Sequence, residues 1–341
     1  MFTVSRFAGS TILSGAVIAA GLAFAPPASA QTELLINNYL PPKHPFQVGI
    51  INPWIKEVMA ATNGAVVPTL SAAAVGPPPK NWQTVEKGVA DVVLMANLFQ
   101  TQRIQMPKVA ELPLSSPSAI KTSTALWKTH EEYFAKADEY KGAKLVGSFV
   151  LTPNVIHSSG KPIRTVDDLK GFKLRAAPGL TTNLLNELGA VPVASGPNKI
   201  FGLVSKGVVD GVAVPAHGLR AFRILPFIKS TTLIPGGLSN TTFSLLINQA
   251  KWESLTKEQQ DQVMSVSGMR ISENTAATDK IAAGALKALQ EAGGELVEPD
   301  PAFVEFLRKF AEGAEADWLK AAEAKGVDGK AAMAFFRAEL E

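Results

Sequence analysis

The sequence predicts an α/β protein built from two lobes of similar construction. Short apolar runs alternate with helical patterns along most of the chain, which is typical of largely parallel sheets with helices on both faces. One strand-and-helix unit recurs in each half. The 341 residues are 46% hydrophobic and 18% charged, which is the composition of a globular chain with a sizeable core.

The first thirty residues have the parts of a secretory signal peptide. Arg6 supplies a positive charge, residues 11–25 form a short apolar region, and PPASA at 26–30 ends in the small residues that signal peptidase accepts. The apolar region is shorter than the roughly 20 residues that a membrane-spanning helix needs. We therefore expect export to the periplasm, with cleavage after about Ala30. A chain without cysteine suits a large periplasmic domain that rests on its core.

The order of strands and helices follows from local signals. Pro53 interrupts a helical pattern over 45–64 and predicts a kink or a late helix start at Asn52. The segments EKGVADVVLM (86–95) and SKGVVDGVAV (205–214) each join a helix end, a Lys-Gly stop and a buried strand, which indicates one such lobe in each half. The predicted strands are 33–40, 65–70, 91–96, 173–178, 191–195 and 208–215.

A long helical tract is predicted near the end of the chain. Thr256 and Gln259 fit a capping box, Gly293-Gly294 provides a stop, and no proline lies between them. A continuous helix there would span about 50 Å, enough to underlie both lobes. A second helical tract is expected from Pro301 to Ala324.

The sequence contains no pattern that points to catalysis, metal binding or nucleic-acid binding. No nucleophile elbow, Walker A or dinucleotide motif follows a strand. The four histidines have no metal-ligand spacing and are interpreted as surface or polar-contact residues, so we expect no metal and no cofactor. Lysine and arginine are scattered and the net charge is only +3, which disfavours a nucleic-acid partner. We therefore do not expect an enzyme.

Arg175 is the candidate binding residue. It lies at the carboxyl end of a predicted buried strand, just before Pro178-Gly179 turns the chain into a helix. Ligands of open α/β sheets bind beyond the carboxyl ends of strands, and a guanidinium suits a carboxylate held by two hydrogen bonds. The residue types alone leave an alternative open, in which Arg175 forms a structural ion pair with an aspartate or glutamate.

Ordered motifs over residues 33–320 resemble those of the solute-binding proteins of tripartite ATP-independent periplasmic (TRAP) transporters, the DctP-like family. The motifs include KPIRTVDDLKGFKLRAAPG (161–179), SKGVVDGVAVP (205–215) and FSLLINQAKWESLTKEQQ (243–260). The resemblance implies a two-lobe periplasmic binding protein (Venus-flytrap) fold, with mostly parallel sheets flanked by helices and a long helix spanning both lobes. It also implies capture of an organic acid for the small and large membrane subunits of an ion-gradient-driven permease, and a carboxylate held by Arg175.

Three positions depart from the family pattern. Asn154 and Val155 stand where many members carry a second arginine. Val214 stands where many members have a ligand-binding asparagine after the Asp-Gly of the strand, and Pro197 stands where phenylalanine is common. A missing cation and a missing amide favour a monocarboxylate, such as a 2-oxo acid or an aromatic acid.

Other expected cleft residues come from the topology together with the resemblance. A role in core or surface packing is the alternative for each of them. The candidates are Asn38, Tyr39, Trp82, Asn97, Asn154, Val214 and Phe243, with Pro215 and Asn240 as weaker ones.

The sequence leaves two other functions open. The protein could be the receptor of an ATP-driven importer or an exported enzyme that uses the cleft. The expected organisation is a signal peptide (1–30), lobe I (31–152 plus about 240–280) and lobe II (153–239 plus about 281–341).

Overall fold

The computed structural model describes residues 31–341, so the predicted signal peptide and its cleavage after about Ala30 lie outside the described residues. The strands are β1 (Thr32–Ile36), β2 (Val66–Leu70), β3 (Val92–Ala96), β4 (Ala143–Val150), β5 (Asn154–Ser158), β6 (Lys173–Ala176), β7 (Val191–Ala194), β8 (Gly211–Pro215), β9 (Ser230–Thr232), β10 (Thr242–Asn248) and β11 (Glu295–Val297). The helices are α1 (Asn52–Ala61), α2 (Asn81–Glu86), α3 (Ala119–Thr129), α4 (Leu180–Glu187), α5 (Ile200–Ser205), α6 (Gly218–Ala221), α7 (Gln249–Glu253), α8 (Lys257–Ser265), α9 (Met269–Asn274), α10 (Ala276–Glu291), α11 (Pro301–Ala324) and α12 (Gly329–Leu340).

Two sheets organise the described chain. Lobe I is built on a five-stranded sheet of order β2-β1-β3-β10-β4, and lobe II on a six-stranded sheet of order β11-β9-β5-β8-β6-β7. In lobe I, β1 pairs in parallel with β2 and β3. In lobe II, β6 pairs in parallel with β7 and β8. The predicted two-lobe α/β fold is confirmed.

The chain crosses between the sheets through short connections. It leaves lobe I after β4 and enters lobe II at β5, then returns after β9 at β10. Both entering strands run antiparallel to their neighbours: β10 to β3 and β4, and β5 to β8 and β9. The sheets are therefore mixed. The strands β10 and β5 begin at the junction, because the chain enters each sheet there. Since β3 and β8 run antiparallel to them, the carboxyl ends of β3 and β8 lie at the junction between the lobes.

The tract after Thr256 is helical but bent. The capping box of Thr256 and Gln259 is present, as the sequence predicted. Three segments, α8, α9 and α10, follow one another, with breaks at residues 266–268 and at Thr275. Gly268 has a φ of +52°, which a right-handed helix cannot accommodate. The segment α8 packs on α1 in lobe I, whereas α10 packs on α3 of lobe I and also on α6 and β11 of lobe II.

Each lobe has its own apolar core. Trp54, Leu34 and Phe149 belong to the main core of lobe I. Leu174 and Phe303 belong to the main core of lobe II. The first half of α11 thus packs on lobe II.

The end of the chain lies on lobe I instead. Trp318 of α11 and Phe336 of α12 join a cluster with Leu126 of α3, because their apolar faces cover that helix. The helix α11 therefore contacts both lobes. The predicted boundaries of the two lobes stay a prediction. Within residues 31–341 no helix combines the length and the hydrophobicity needed to cross a bilayer.

Candidate functional site

Arg175 is a buried cation near the carboxyl end of β6. Its neighbours in the sheet are Val193 of β7 and Val212 of β8. The side chain is 4% exposed. Its Nε donates a hydrogen bond of 3.2 Å to the Ser195 hydroxyl, and a second guanidinium nitrogen donates to the Ser195 carbonyl oxygen. Burial lowers the pKa of Arg175 to about 10, which still leaves it charged at neutral pH.

None of the ion pairs among the described residues includes Arg175. Ser195 supplies neutral acceptors, which leave the positive charge without a compensating negative charge. A buried charge without a partner costs free energy. Burial of an unpaired cation is what an anion-binding site requires. The alternative that the sequence left open, a structural ion pair of Arg175 with an acidic side chain, is not present among the described residues.

Aromatic side chains of lobe I gather near the junction. The rings of Phe46 and Phe243 lie edge to face with centroids 4.5 Å apart, and Phe149 stacks on Phe243 at 6.2 Å. Phe46 follows β1, Phe149 lies on β4 and Phe243 opens β10. The cross-strand pairing of Phe243 with Phe149 fixes the relative positions of those two rings. We call Phe46, Phe149 and Phe243 the phenylalanine cluster.

Two histidines connect this cluster to lobe II. His44 stacks on Phe46, with ring centroids 5.3 Å apart. His217, just beyond β8, lies edge-on to His44 at 6.5 Å and is 2% exposed. The Thr152 hydroxyl, in the connection from β4 to β5, is 3.4 Å from His217 Nδ1. Burial lowers the pKa of His44 to about 4 and that of His217 to about 3, so both rings are neutral at pH 7.

The predicted lobe II residues next to this region are part of the crossing. Asn154 pairs with Pro215 across β5 and β8, and its side-chain amide donates to the Ser239 hydroxyl at 3.1 Å. Val214 packs in an apolar cluster of lobe II and is 3% exposed. Pro215 is the last residue of β8. A ligand role for Asn154 and Val214 stays a prediction.

Three predicted polar residues in lobe I already have partners there. Asn97 donates to the Thr242 hydroxyl at 3.1 Å and accepts from Ser244 at 2.8 Å. The Tyr39 hydroxyl donates to the Leu94 carbonyl at 2.8 Å, and burial raises its pKa. The Asn38 amide donates to the Ser71 carbonyl oxygen at 3.2 Å. These bonds fix the loops after β1 and β3, and ligand contacts by the three residues stay predictions.

The two predicted aromatic residues have different surroundings. Phe243 belongs to the phenylalanine cluster, close to His44 through Phe46. Trp82 is 3% exposed and packs in a separate lobe I core with Val85, beneath the guanidinium of Arg103 at 4.1 Å. A ligand role for Trp82 stays a prediction, but its packing gives it a structural one.

A cavity of 310 Å³ also opens where the two lobes meet. Lys108, Thr181, Asn240 and Trp318 are among the side chains that line it, together with the loop that follows β6. Neither Arg175 nor the phenylalanine cluster lines this cavity. Asn240 is itself fixed by donating to Ser116 Oγ at 2.8 Å and to the Leu151 carbonyl at 3.0 Å. The cavity is therefore separate from the buried cation. Among residues 31–341, no three His, Asp or Glu side chains converge so as to hold a metal ion.

Sequence reasoning missed His44, Phe46, Phe149, Thr152 and His217. A usable signal was present for two of them, because PPKHP and PAH each follow a strand whose carboxyl end faces the junction. That signal becomes visible only once the strands of both halves are assigned to their sheets.

Comparison with known families decides the class of protein. Residues 36–325 match the family described as bacterial extracellular solute-binding protein, family 7 (DctP). The chain belongs to this family. The family predicted from the sequence is confirmed, and its members are the solute-binding components of TRAP transporters.

Relatives of this solute-binding protein cover almost its whole length. A TRAP periplasmic solute-binding protein from Bordetella bronchiseptica, solved with bound (R)- and (S)-mandelate, superposes with a TM-score of 0.86 at 36% identity, over 91% of this chain and 98% of that one. A marine metagenome TRAP protein specific for aromatic acids, solved with 3-hydroxybenzoate, gives 0.81 at 28% identity, over 91% and 98% of the two chains. "Outer membrane transporter protein TsaT" of Comamonas testosteroni is 29% identical over 96% of this chain and 97% of its own length.

Proposed function

We propose that this solute-binding protein captures an aromatic monocarboxylic acid between its two lobes and delivers it to the small and large membrane subunits of a TRAP permease. The carboxylate binds Arg175, and the apolar body of the acid packs against the phenylalanine cluster of lobe I. The observation that carries the proposal is the burial of Arg175 without an acidic partner among the described residues.

The chemistry of Arg175 supports a carboxylate over a neutral solute. The guanidinium has five N–H donors, and Ser195 accepts from two of its nitrogens. Donors therefore remain for a planar anion that can accept two parallel hydrogen bonds. The paired charges would also recover much of the free energy lost when Arg175 was removed from water.

The apolar surroundings support an aromatic body. Phe243 is the half-buried member of the phenylalanine cluster and can pack against another ring by offset or edge-to-face contact, while Phe46 and Phe149 are buried behind it and hold it in place. At positions 154 and 214 the chain has Asn154 and Val214, so no second cation is available there for a dicarboxylate. The two relatives solved with mandelate and 3-hydroxybenzoate bind acids of this kind.

The remaining parts of the proposal follow from family membership. TRAP solute-binding proteins are periplasmic and work with membrane permeases. We therefore propose that this protein is exported, that residues 1–30 are removed, and that it binds the solute without altering it chemically. Mass spectrometry of an acid recovered unchanged after long incubation tests the last point. An altered acid would contradict it.

Isothermal titration calorimetry with (R)-mandelate, benzoate and succinate tests the substrate class. We expect the aromatic acids to bind and succinate to bind weakly or not at all. Arg175→Ala removes one partner of a buried charge pair, which costs about 2–5 kcal/mol and lowers affinity about thirtyfold to several thousandfold. Arg175→Lys recovers little, because an ammonium cannot present two parallel donors.

The matched control is Arg164→Ala. Arg164 is also in lobe II, but its side chain is 51% exposed and pairs with Glu295. This variant should bind with wild-type affinity. Wild-type affinity in Arg175→Ala, or succinate as the best ligand, would refute the proposed site or the proposed substrate class.

A further inference from the structure

His44 and His217 meet at the junction but come from different lobes. His44 lies in the loop after β1, and His217 lies beyond the carboxyl end of β8. Their ring centroids are 6.5 Å apart with an interplanar angle of 75°. His217 and Arg175 lie toward the same, junction-facing end of the lobe II sheet, because β6 and β8 are paired in parallel, and His44 of lobe I contacts His217 at this end.

The hydrogen bonds of His44 define which nitrogen can donate to a solute. The backbone N–H of Phe46 donates to His44 Nδ1 at 3.2 Å, so Nδ1 acts as an acceptor. Because a neutral imidazole has one donor nitrogen and one acceptor nitrogen, the hydrogen of His44 lies on Nε2. Nε2 has no hydrogen-bond partner among residues 31–341. His44 therefore offers a free, uncharged donor.

His217 can supply the complementary acceptor. Its Nδ1 is 3.4 Å from the Thr152 hydroxyl, and its Nε2 forms no hydrogen bond with any described side chain or backbone group. If Nδ1–H donates to Thr152, Nε2 of the neutral ring carries a lone pair. The donor of His44 and the acceptor of His217 then match a group that both accepts and donates one hydrogen bond. A hydroxyl is such a group, whereas a ketone only accepts and an ammonium only donates.

We propose that His44 and His217 together bind a hydroxyl group of the solute, which makes this protein selective for hydroxylated aromatic acids over the same acids without the hydroxyl. The inference rests on the proposed function, in which Arg175 holds the carboxylate and the phenylalanine cluster holds the ring. It adds a third contact, made by one residue from each lobe, so the hydroxyl is bound only when the lobes are closed around the solute.

Two pairs of acids test the proposal on the unaltered protein. Mandelate differs from phenylacetate by a hydroxyl next to the carboxylate, and 3-hydroxybenzoate differs from benzoate by a hydroxyl on the ring. We expect calorimetry to give an affinity about tenfold to a hundredfold higher for the hydroxylated member of at least one pair, because the other member leaves two polar groups unpaired in the closed site. The pair that shows the difference locates the hydroxyl.

Variants then assign the effect to the histidines. His44→Phe keeps a ring that can stack on Phe46 but removes the donor, and His217→Leu removes the acceptor. Each should lower the affinity for the hydroxylated acid about tenfold and leave the affinity for the matching acid without the hydroxyl within about twofold. His130→Phe is the control, since His130 lies against Trp127 in lobe I, away from the junction. It should leave both affinities unchanged.

The outcomes separate this inference from the proposed function. Equal affinities within both pairs, with binding still dependent on Arg175, would overturn the role of the histidines alone. That role is also overturned if His44→Phe weakens both members of a pair equally. If none of the four acids binds, or if Arg175→Ala binds them as the wild type does, the proposed function fails as well.

Discussion

Replacing Arg175 by methionine should stabilise the protein in the absence of solute. Methionine keeps an unbranched stem of similar reach but removes the charge. A pKa lowered from 12.5 to about 10 corresponds to about 3 kcal/mol of unfavourable burial of the charged form. Loss of the hydrogen bonds to Ser195 offsets about half of this, because Ser195 is only half-buried and water can replace the guanidinium. We expect a net gain of about 1–2 kcal/mol.

Urea unfolding at pH 7, followed by circular dichroism, measures the free energy of unfolding with and without a saturating aromatic acid. The acid should stabilise the wild type by about 2.7 kcal/mol at one hundred times its Kd, and at the same concentration it should stabilise Arg175→Met by no more than about 0.9 kcal/mol. Arg164→Met is the matched control, and its effect on the free energy of unfolding should stay within about 0.5 kcal/mol because Arg164 is half exposed. A ligand-free Arg175→Met protein that is less stable than the wild type by more than about 1 kcal/mol would refute the reasoning, because Arg175 would then be a structural residue.

Three further predictions concern stability. The pKa of His217 is lowered to about 3 in the folded protein and returns to about 6.5 on unfolding. The unfolded chain therefore binds the extra proton below pH 6.5, and the contribution of His217 to stability, complete above that pH, falls by about 2 kcal/mol at pH 5. Between pH 7 and pH 5, the free energy of unfolding should fall by about 2 kcal/mol less in His217→Gln than in the wild type. An equal fall in both proteins would show that His217 does not cause the pH dependence. Gly268→Ala should destabilise by several kcal/mol or prevent folding, on the order of the larger single-residue effects, because its Cβ would lie 2.5 Å from the Trp127 ring at a positive φ. Gly284→Ala in α10, where nothing lies within 4 Å of the added Cβ, should stabilise by up to about 1 kcal/mol, and thermal unfolding compares the two variants.

Local chemistry made much of the fold predictable. The irregularity before Pro53, where the helix passes through a π-helical stretch at Gln47–Ile51 instead of starting late at Asn52, and the capping box at Thr256 both depend on residues within a few positions of one another. Such signals act through the backbone hydrogen bonds of the helix ends, so one sequence is enough to read them. The helix breaks at Gly268 and Thr275 were missed, because tertiary contacts with Trp127 decide the first of them.

The candidate site was predictable only in part, because it depends on contacts between distant segments. Arg175 stood out since a permanent charge in an apolar strand requires a physical reason. The meeting of His44 with His217 requires knowing that β1 and β8 both end at the junction, and the sheet order supplies that information only after folding. Neutral histidines give no local signal of this kind, whereas a buried arginine does.

Because the proposed site takes residues from both lobes, we expect closure of the lobes to require both the carboxylate and the apolar part of the acid. Arg175 belongs to lobe II and the phenylalanine cluster to lobe I, so an anion without an apolar body contacts only one side, and so does an uncharged ring. A solute shifts the equilibrium toward the closed form only by the difference between its affinities for the closed and open forms. Inorganic anions that pair with Arg175 alone should therefore bind without closing the lobes. A permease that recognises the closed form would then respond to an aromatic acid and not to an inorganic anion.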